Sequence, residues 1–197
     1  MKKVVLHGNT ESFFSKLIDS AVNAQGLNVA EEVRFYLMNL LSNNATGPNL
    51  IKQSKVSIYK DRPLSILYLE ALNEVISTKR TMLKFIGDYS LYISGYFGDS
   101  FNGKIIDPGH YILIGSSAFG NLSRIAVSSS NSGLYLDIFE RFSDLVDILT
   151  EVSFDTMISN SKDLIKLYDR WLRTKSRILE RKLMEKGVIT YQGKIII

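Results

Sequence analysis

The two histidines are the first residues to consider for chemistry, because imidazole is the usual general base and a common metal ligand. His7 lies near the start of the chain, where a surface position is the default. His110 lies beside Tyr111 in the least charged part of the sequence, but it has no second histidine nearby and a metal site needs about three or four ligands. A structural role is therefore expected for His110, and no metal site is predicted. The alternative is an enzyme whose site assembles from Asp99, Asp107, His110 and neighbouring tyrosines.

Other common catalytic patterns are missing from the sequence. The chain contains no cysteine, which excludes a disulfide, a thiolate nucleophile and any cysteine-ligated metal site. Its serines lack the Gly-x-Ser-x-Gly context of a nucleophile elbow, and its glycine pairs match neither the dinucleotide nor the phosphate-loop fingerprint. No catalytic residue and no cofactor are therefore predicted. The expected function is that of a non-enzymatic binding or interaction protein.

A charge-depleted segment, Leu83 to Ser123, is expected to form the centre of the fold. From Tyr89 onward its only charged residues are Asp99, Lys104 and Asp107, whereas 22% of the whole chain is charged. Bulky rings alternate there with glycines, which let another backbone come close. The pattern is typical of a packed core and, secondly, of a pocket that encloses an apolar small molecule between helices. The candidate ligand-binding residues are Tyr92, Tyr96, His110 and Tyr111.

Charge is distributed unevenly along the chain. The formal net charge is +4, but residues 160–197 hold ten Lys or Arg against four Asp or Glu, whereas residues 1–159 hold fourteen against sixteen. The basic segment contains a stripe of cations at helical spacing, and an acidic stripe of similar pitch precedes it. The basic stripe comprises Lys166, Arg170, Arg173, Arg177 and Arg181, and the acidic stripe comprises Asp137, Glu140, Asp144, Asp147 and Glu151.

The simplest interpretation of the two stripes is that they pair with each other, in an antiparallel hairpin or across a dimer. A divalent cation held by the acidic stripe would need oxygen ligands from another helix. Nucleic acid is an unlikely partner for the basic stripe, because acidic residues interrupt it and no helix-turn-helix fingerprint is visible. A protein partner or a second copy of the chain remains the alternative to internal pairing. The candidate partner-binding residues are Arg170, Arg173, Arg177 and Arg181.

Helical periodicity dominates the chain. Apolar residues recur at helical spacing in seven segments, with capping residues, prolines or glycines at their ends. The predicted helices span about residues 10–26, 28–42, 61–79, 82–97, 107–122, 134–152 and 161–186, and the tail VITYQGKIII suits a short strand or hairpin. The sequence therefore predicts one all-α domain over residues 1–197, a compact bundle of six to eight helices with a short extended C-terminal tail.

Neither end of the chain nor its interior predicts a membrane protein. The apolar run at residues 4–6 is far too short for a signal-peptide core. The longest uncharged run, Pro108 to Ser123, has 16 residues, whereas a membrane span needs roughly 20 mostly apolar ones. A cytoplasmic protein without membrane contact is therefore expected.

Three stretches of the chain carry a resemblance to known sequences. They are EVRFYLMNLL at residues 32–41, GDYSLYISGYF at residues 87–97, and the segment from Tyr111 to Phe119. Together they resemble a family of small helical bacterial proteins of uncharacterised function. The resemblance covers most of the chain and implies a helical fold. It implies no catalytic or binding residue.

Overall fold

The computed structural model describes residues 2–44, 62–96, 108–126 and 131–157 and, near the C-terminus, residues 164–165, 168–169, 171–172 and 177–188. Every regular element within these ranges is a helix, which confirms the all-α prediction. In chain order the helices are α1 (Lys2–Ala24), α2 (Glu31–Asn44), α3 (Leu64–Asn73), α4 (Ile76–Leu91), α5 (Pro108–Ile125), α6 (Ser132–Glu140), α7 (Phe142–Met157) and α8 (Arg177–Glu185). Helix α4 continues directly into one π-helical turn, Tyr92–Tyr96.

Glycine ends α1 and α8, as the sequence predicted. Gly26 follows α1 with φ +64°, and Gly187 follows α8 with φ +78°, a backbone conformation that disfavours residues with a Cβ. The Leu27 amide then donates to the Val22 carbonyl at 3.1 Å, and the equivalent bond closes α8. Both helix ends are therefore fixed by local sequence.

Two predicted boundaries near the N-terminal half of the chain are wrong. Helix α1 begins at Lys2, eight residues before the start predicted at about residue 10. From the sequence, Asn9 or Thr10 is expected to cap the helix, but the turn before them is itself helical. The helix predicted over residues 61–79 ends at Asn73, since Glu74 and Val75 adopt extended backbone with ψ +161° and +152°. The chain thereby turns, and α3 packs against α4.

The helix predicted over residues 134–152 is also wrong, because it is two helices. Arg141 lies between α6 and α7 with φ −105° and ψ +14°. The break lets Phe139 lie over Gly120 of α5, where an added Cβ would be 3.0 Å from the ring, while Phe142 is buried in the core. The break therefore coincides with packing on α5, and the apolar period of the sequence continues through it.

The helices pack around the segment that the sequence marked as central. Helices α4 and α5 lie along each other, α5 also packs on α6, and α7 packs on the π-helical turn and on α1. Helix α2 packs on α1, and α8 contacts α7. Tyr92, Ile93 and Phe119 are buried and Ile112 is partly buried, so the prediction of a central charge-depleted segment is confirmed.

Some sequence predictions lie outside the described residues. These are the extended tail from residue 189 onward and most of the segment between residues 158 and 176. The extent of a single domain over the whole chain stays a prediction. No helix in the described ranges combines the length and the apolar character that crossing a membrane requires.

Candidate functional site

Tyr92 and Tyr96, two of the candidate ligand-binding residues, lie inside the bundle. Their rings stack with centroids 5.6 Å apart, and Phe14 of α1 meets the Tyr96 ring edge-on at 6.1 Å. The Tyr96 hydroxyl lies 3.1 Å from Thr156 Oγ1 on α7. Tyr92 is 1% exposed, and burial, with Tyr96 nearby, raises the pKa of its hydroxyl well above the ordinary value. Tyr92 is therefore an uncharged member of the core.

The π-helical turn that carries these rings is hydrogen-bonded to side chains of α7. Thr150 Oγ1 donates to the Gly95 carbonyl at 3.2 Å, and Ser153 Oγ donates to the Tyr96 carbonyl at 2.6 Å. Side-chain hydroxyls of this kind can satisfy the backbone carbonyls of the last turn of a helix. A Cβ at Gly95 would lie 2.6 Å from Leu149 Cβ, so α7 touches the backbone of the turn. π-Helical turns are frequent at functional sites, but here α7 fills the adjacent space.

His110 and Tyr111, the other two candidates, lie at the start of α5. His110 is exposed and its ring meets Tyr111 edge-on at 6.2 Å. Tyr111 is partly buried, its ring centroid is 6.4 Å from that of Tyr89, and burial raises the pKa of its hydroxyl. The four candidates thus form two pairs, one stacked in the core and one at the surface end of a helix. Asp99 and Asp107, which the enzyme alternative requires, lie outside the described residues.

A polar cluster that sequence reasoning missed joins α2 to α4. The Tyr36 hydroxyl donates to Asp88 Oδ1, and Lys84 Nζ donates to Asp88 Oδ2 at 2.6 Å and to the Tyr36 hydroxyl at 3.1 Å. Asp88 is buried, whereas the Lys84 side chain is about half exposed. Burial raises the pKa of Tyr36 well above its ordinary value, and the Asp88 charge and hydrogen bond raise it further. Tyr36 therefore stays protonated and cannot act as a base or nucleophile near neutral pH.

A second polar cluster, the α8 clasp, consists of Arg181 and Lys182 of α8 with Glu151 and Asp155 of α7. Arg181 and Lys182 contact the two oxygens of Glu151 at 2.9 and 3.2 Å, and Lys182 also contacts Asp155 at 3.0 Å. Gln25, just after α1, donates to Glu151 at 2.9 Å. Burial lowers the pKa of Lys182, but hydrogen bonds to Asp155 and Glu151 and their charges outweigh it, so the pKa is raised.

The α8 clasp confirms one contact of the predicted stripe pairing, Arg181 with Glu151. Arg177 is exposed, and Arg170 and Arg173 lie outside the described residues. Sequence spacing could find the acidic and basic stripes because both follow a helical period. It could not find Gln25, which lies 126 residues from Glu151 in the chain.

An exposed apolar surface lies on the outer side of α3 and the turn that follows it. It comprises Ile66, Leu69, Val75 and Ile76, and is called the α3 apolar face below. Leu69, Val75 and Ile76 are 56%, 68% and 61% exposed. The spacing of Ile66 and Leu69 places both on one side of the helix. The turn at Glu74 and Val75, which sequence reasoning missed, brings Val75 and Ile76 to the surface.

A shallow cleft of about 220 Å³ lies between α1 and α2. Ile18 and Met38 supply apolar lining, and Phe35 lies largely exposed at its edge. Asp19 and Arg34, which also line it, form an ion pair at 3.2 Å. Since the Arg34 guanidinium is paired with the Asp19 carboxylate, the remaining charge of the cleft lining comes from Glu31. No group of three or more acidic or histidine side chains in the described ranges is arranged to hold a metal ion.

Comparison of the chain with protein-family models, with curated proteins and with solved structures finds no match. The resemblance to a family of small helical bacterial proteins therefore stays a prediction.

Proposed function

We propose that this chain is a non-enzymatic interaction protein and that its α3 apolar face binds the same face of a second copy. The observation that carries the proposal is the composition of α3. Leu64, Leu67 and Ala71 are buried on its inner side, while Ile66 and Leu69 stay exposed on its outer side. Ser65, Glu70 and Asn73 share this outer side, so the two large aliphatic side chains stand on a partly polar surface. Exposed apolar patches rimmed by polar residues mark interaction sites. Another protein surface could bury the exposed side chains on the outer side of α3.

The charges beside the α3 apolar face support a second copy as the partner. Glu70 is the only charged residue of α3, and it pairs with Arg62, which precedes the helix. Across a twofold axis each surface meets itself, so a surface with both signs of charge is complementary to its own copy. A partner of opposite charge would instead be matched by a surface of a single sign. Arg62 on one side and Glu70 and the exposed Glu74 on the other give this edge both signs of charge, which favours self-association.

Analytical ultracentrifugation over a wide concentration range tests the proposal. The unmodified chain is expected to dimerise reversibly, and Leu69→Glu is expected to weaken the dimer by at least about tenfold. The reason is that each copy loses one buried leucine, worth about 1.5–3 kcal/mol, and gains a carboxylate in an apolar contact. Leu113→Glu is the matched control, since Leu113 on α5 is 68% exposed and lies outside the face.

Two results would contradict the proposal. One is an unmodified chain that remains monomeric at every concentration. The other is an equal effect of Leu69→Glu and Leu113→Glu on the sedimentation coefficient, which would mean that the α3 apolar face has no special role. Circular dichroism of both variants shows whether each retains its helices, so that misfolding is not mistaken for dissociation.

Enclosure of an apolar small molecule by the four aromatic candidates ranks behind self-association. The reason is the close packing at Gly95 and Gly115, where an added Cβ would collide with a neighbouring helix, so little space is left for a ligand there. A cytoplasmic location, and the expectation that nucleic acid is an unlikely partner, stay predictions from the sequence.

A further inference from the structure

We propose that α8 is a detachable helix, held on the bundle by the α8 clasp, and that a polyanion competes with the clasp for its cations. Leu179 and Leu183, the apolar side of α8, are buried with Trp171 and Phe154 in a cluster distinct from the main core. Of these, only Phe154 belongs to α7. Loss of α8 would therefore leave the packing around α4 and α5 intact.

Helix α8 depends on the bundle for its stability. Its buried side chains are Leu179 and Leu183, and most of the stability of a helix in a protein comes from the packing of such an apolar face. Formation of the helix is therefore coupled to its docking. Elements with few buried apolar contacts are also the ones that open locally without global unfolding.

The clasp supplies the polar part of the docking interaction. The Glu151 side chain is 3% exposed, and within the described residues its oxygens contact Arg181, Lys182 and Gln25. Arg181 also donates to the Ala24 carbonyl at 2.9 Å, at the end of α1. Burial of Glu151 depends on the presence of α8, because the cations that balance it come from that helix. When α8 leaves, water can solvate the carboxylate, so the released state is also compatible with a folded bundle.

The same cations are the ones that a polyanion would bind. Arg177 and Lys186 are exposed on and just after α8, whereas Arg181 and Lys182 are engaged by the carboxylates of α7. A chain of phosphates can reach all four cations only when the clasp opens. A ligand that prefers the released state shifts the equilibrium toward it, and weakening the clasp must strengthen that ligand's binding.

Hydrogen–deuterium exchange of the full chain tests whether α8 detaches. In Glu151→Gln, exchange in residues 177–188 is expected to be at least about tenfold faster than in the unmodified chain, the change expected when about 1.4 kcal/mol of docking free energy is lost. Exchange in α4 and α5 is expected to stay the same. Glu140→Gln removes an exposed carboxylate of the same acidic stripe and is the control. Arg181→Gln removes the clasp from the other side and should accelerate the same residues.

Fluorescence titration with inorganic polyphosphate tests the competition. Glu151→Gln is expected to bind polyphosphate at least about tenfold more tightly than the unmodified chain and than Glu140→Gln, by the same coupling. Equal exchange in residues 177–188 of Glu151→Gln, Arg181→Gln and the unmodified chain would overturn the detachable helix. Equal polyphosphate affinity of Glu151→Gln and the unmodified chain would overturn the competition. Faster exchange throughout the chain would show that α8 is part of one cooperative unit, and would also overturn the proposal.

Discussion

Gly115→Ala tests whether the aromatic core is filled or has room for a ligand. A Cβ at Gly115 would lie 2.5 Å from Ser90 Cβ on α4 and would collide with the ring of Phe142 on α7. Carbon atoms in contact are about 3.5–4.0 Å apart, so the helices must separate by about 1 Å. Overpacking of this kind costs about 1–3 kcal/mol, whereas replacing glycine by alanine inside a helix gains about 1 kcal/mol. Because Ser90 and Phe142 are both buried, the overpacking cost should exceed the helix-propensity gain, and the variant should lose up to about 2 kcal/mol of stability.

Gly133→Ala is the matched control for this experiment. Gly133 lies in the first turn of α6, and an added Cβ there has no neighbour within 4 Å. The substitution should therefore gain up to about 1 kcal/mol from helix propensity and lower unfolded-state entropy. Urea unfolding of both variants should place their free energies of unfolding about 1–3 kcal/mol apart, with Gly115→Ala the less stable variant. If Gly115→Ala is as stable as Gly133→Ala, the core has unfilled space at this crossing and a ligand pocket becomes the better interpretation.

The polar contacts of the core and the pH dependence give two further predictions. Tyr36→Phe removes the hydroxyl that donates to Asp88. A hydrogen bond to a charged group is worth about 1.5–3 kcal/mol, but Lys84 still pairs with the Asp88 carboxylate in the variant. The free energy of unfolding in urea should therefore fall by about 1–2 kcal/mol. Tyr68→Phe loses only a bond accepted from an amide and should cost less than about 1 kcal/mol; equal costs would refute the ranking. Burial raises the pKa of Tyr36 and of Tyr92, so above about pH 10 the folded chain keeps phenol protons that the unfolded chain releases. Stability should therefore fall by about 1.4 kcal/mol per pH unit for each group, and a thermal midpoint that holds constant or rises from about pH 9 to 11 would contradict this.

The sequence predicted those features of the fold that depend on local residues. Gly26 and Gly187 end helices because the backbone there needs positive φ, and the charge-depleted segment is central because it contains little that requires water. The turn at Glu74 and the break at Arg141 were missed for one physical reason. The apolar periodicity of the sequence continues across both positions. The helices end where they pack on α4 and α5, and periodicity does not encode those contacts.

The candidate sites also include contacts that local sequence predicts and contacts that it does not. Pairing of Arg181 with Glu151 follows from two stripes of equal pitch, so spacing alone could predict it. The Tyr36 contact with Asp88 spans 52 residues and joins helices whose relative position no local pattern fixes. A filled core and a pocket look alike in sequence, since both alternate rings with small residues. The distance between α7 and Gly95 distinguishes a filled core from a pocket, and that distance depends on the tertiary structure.

Self-association through α3 and release of α8 can be tested independently, because the two surfaces share no residue. Helix α3 packs on α4 and α5, whereas α8 packs on α7 and reaches the end of α1. Leu69→Glu should therefore change the sedimenting mass without changing exchange in residues 177–188, and Glu151→Gln should do the reverse. If instead either variant changed both measurements, the coupling would have to pass through α7 and the helices around Phe119, and the two surfaces would be parts of a single switch.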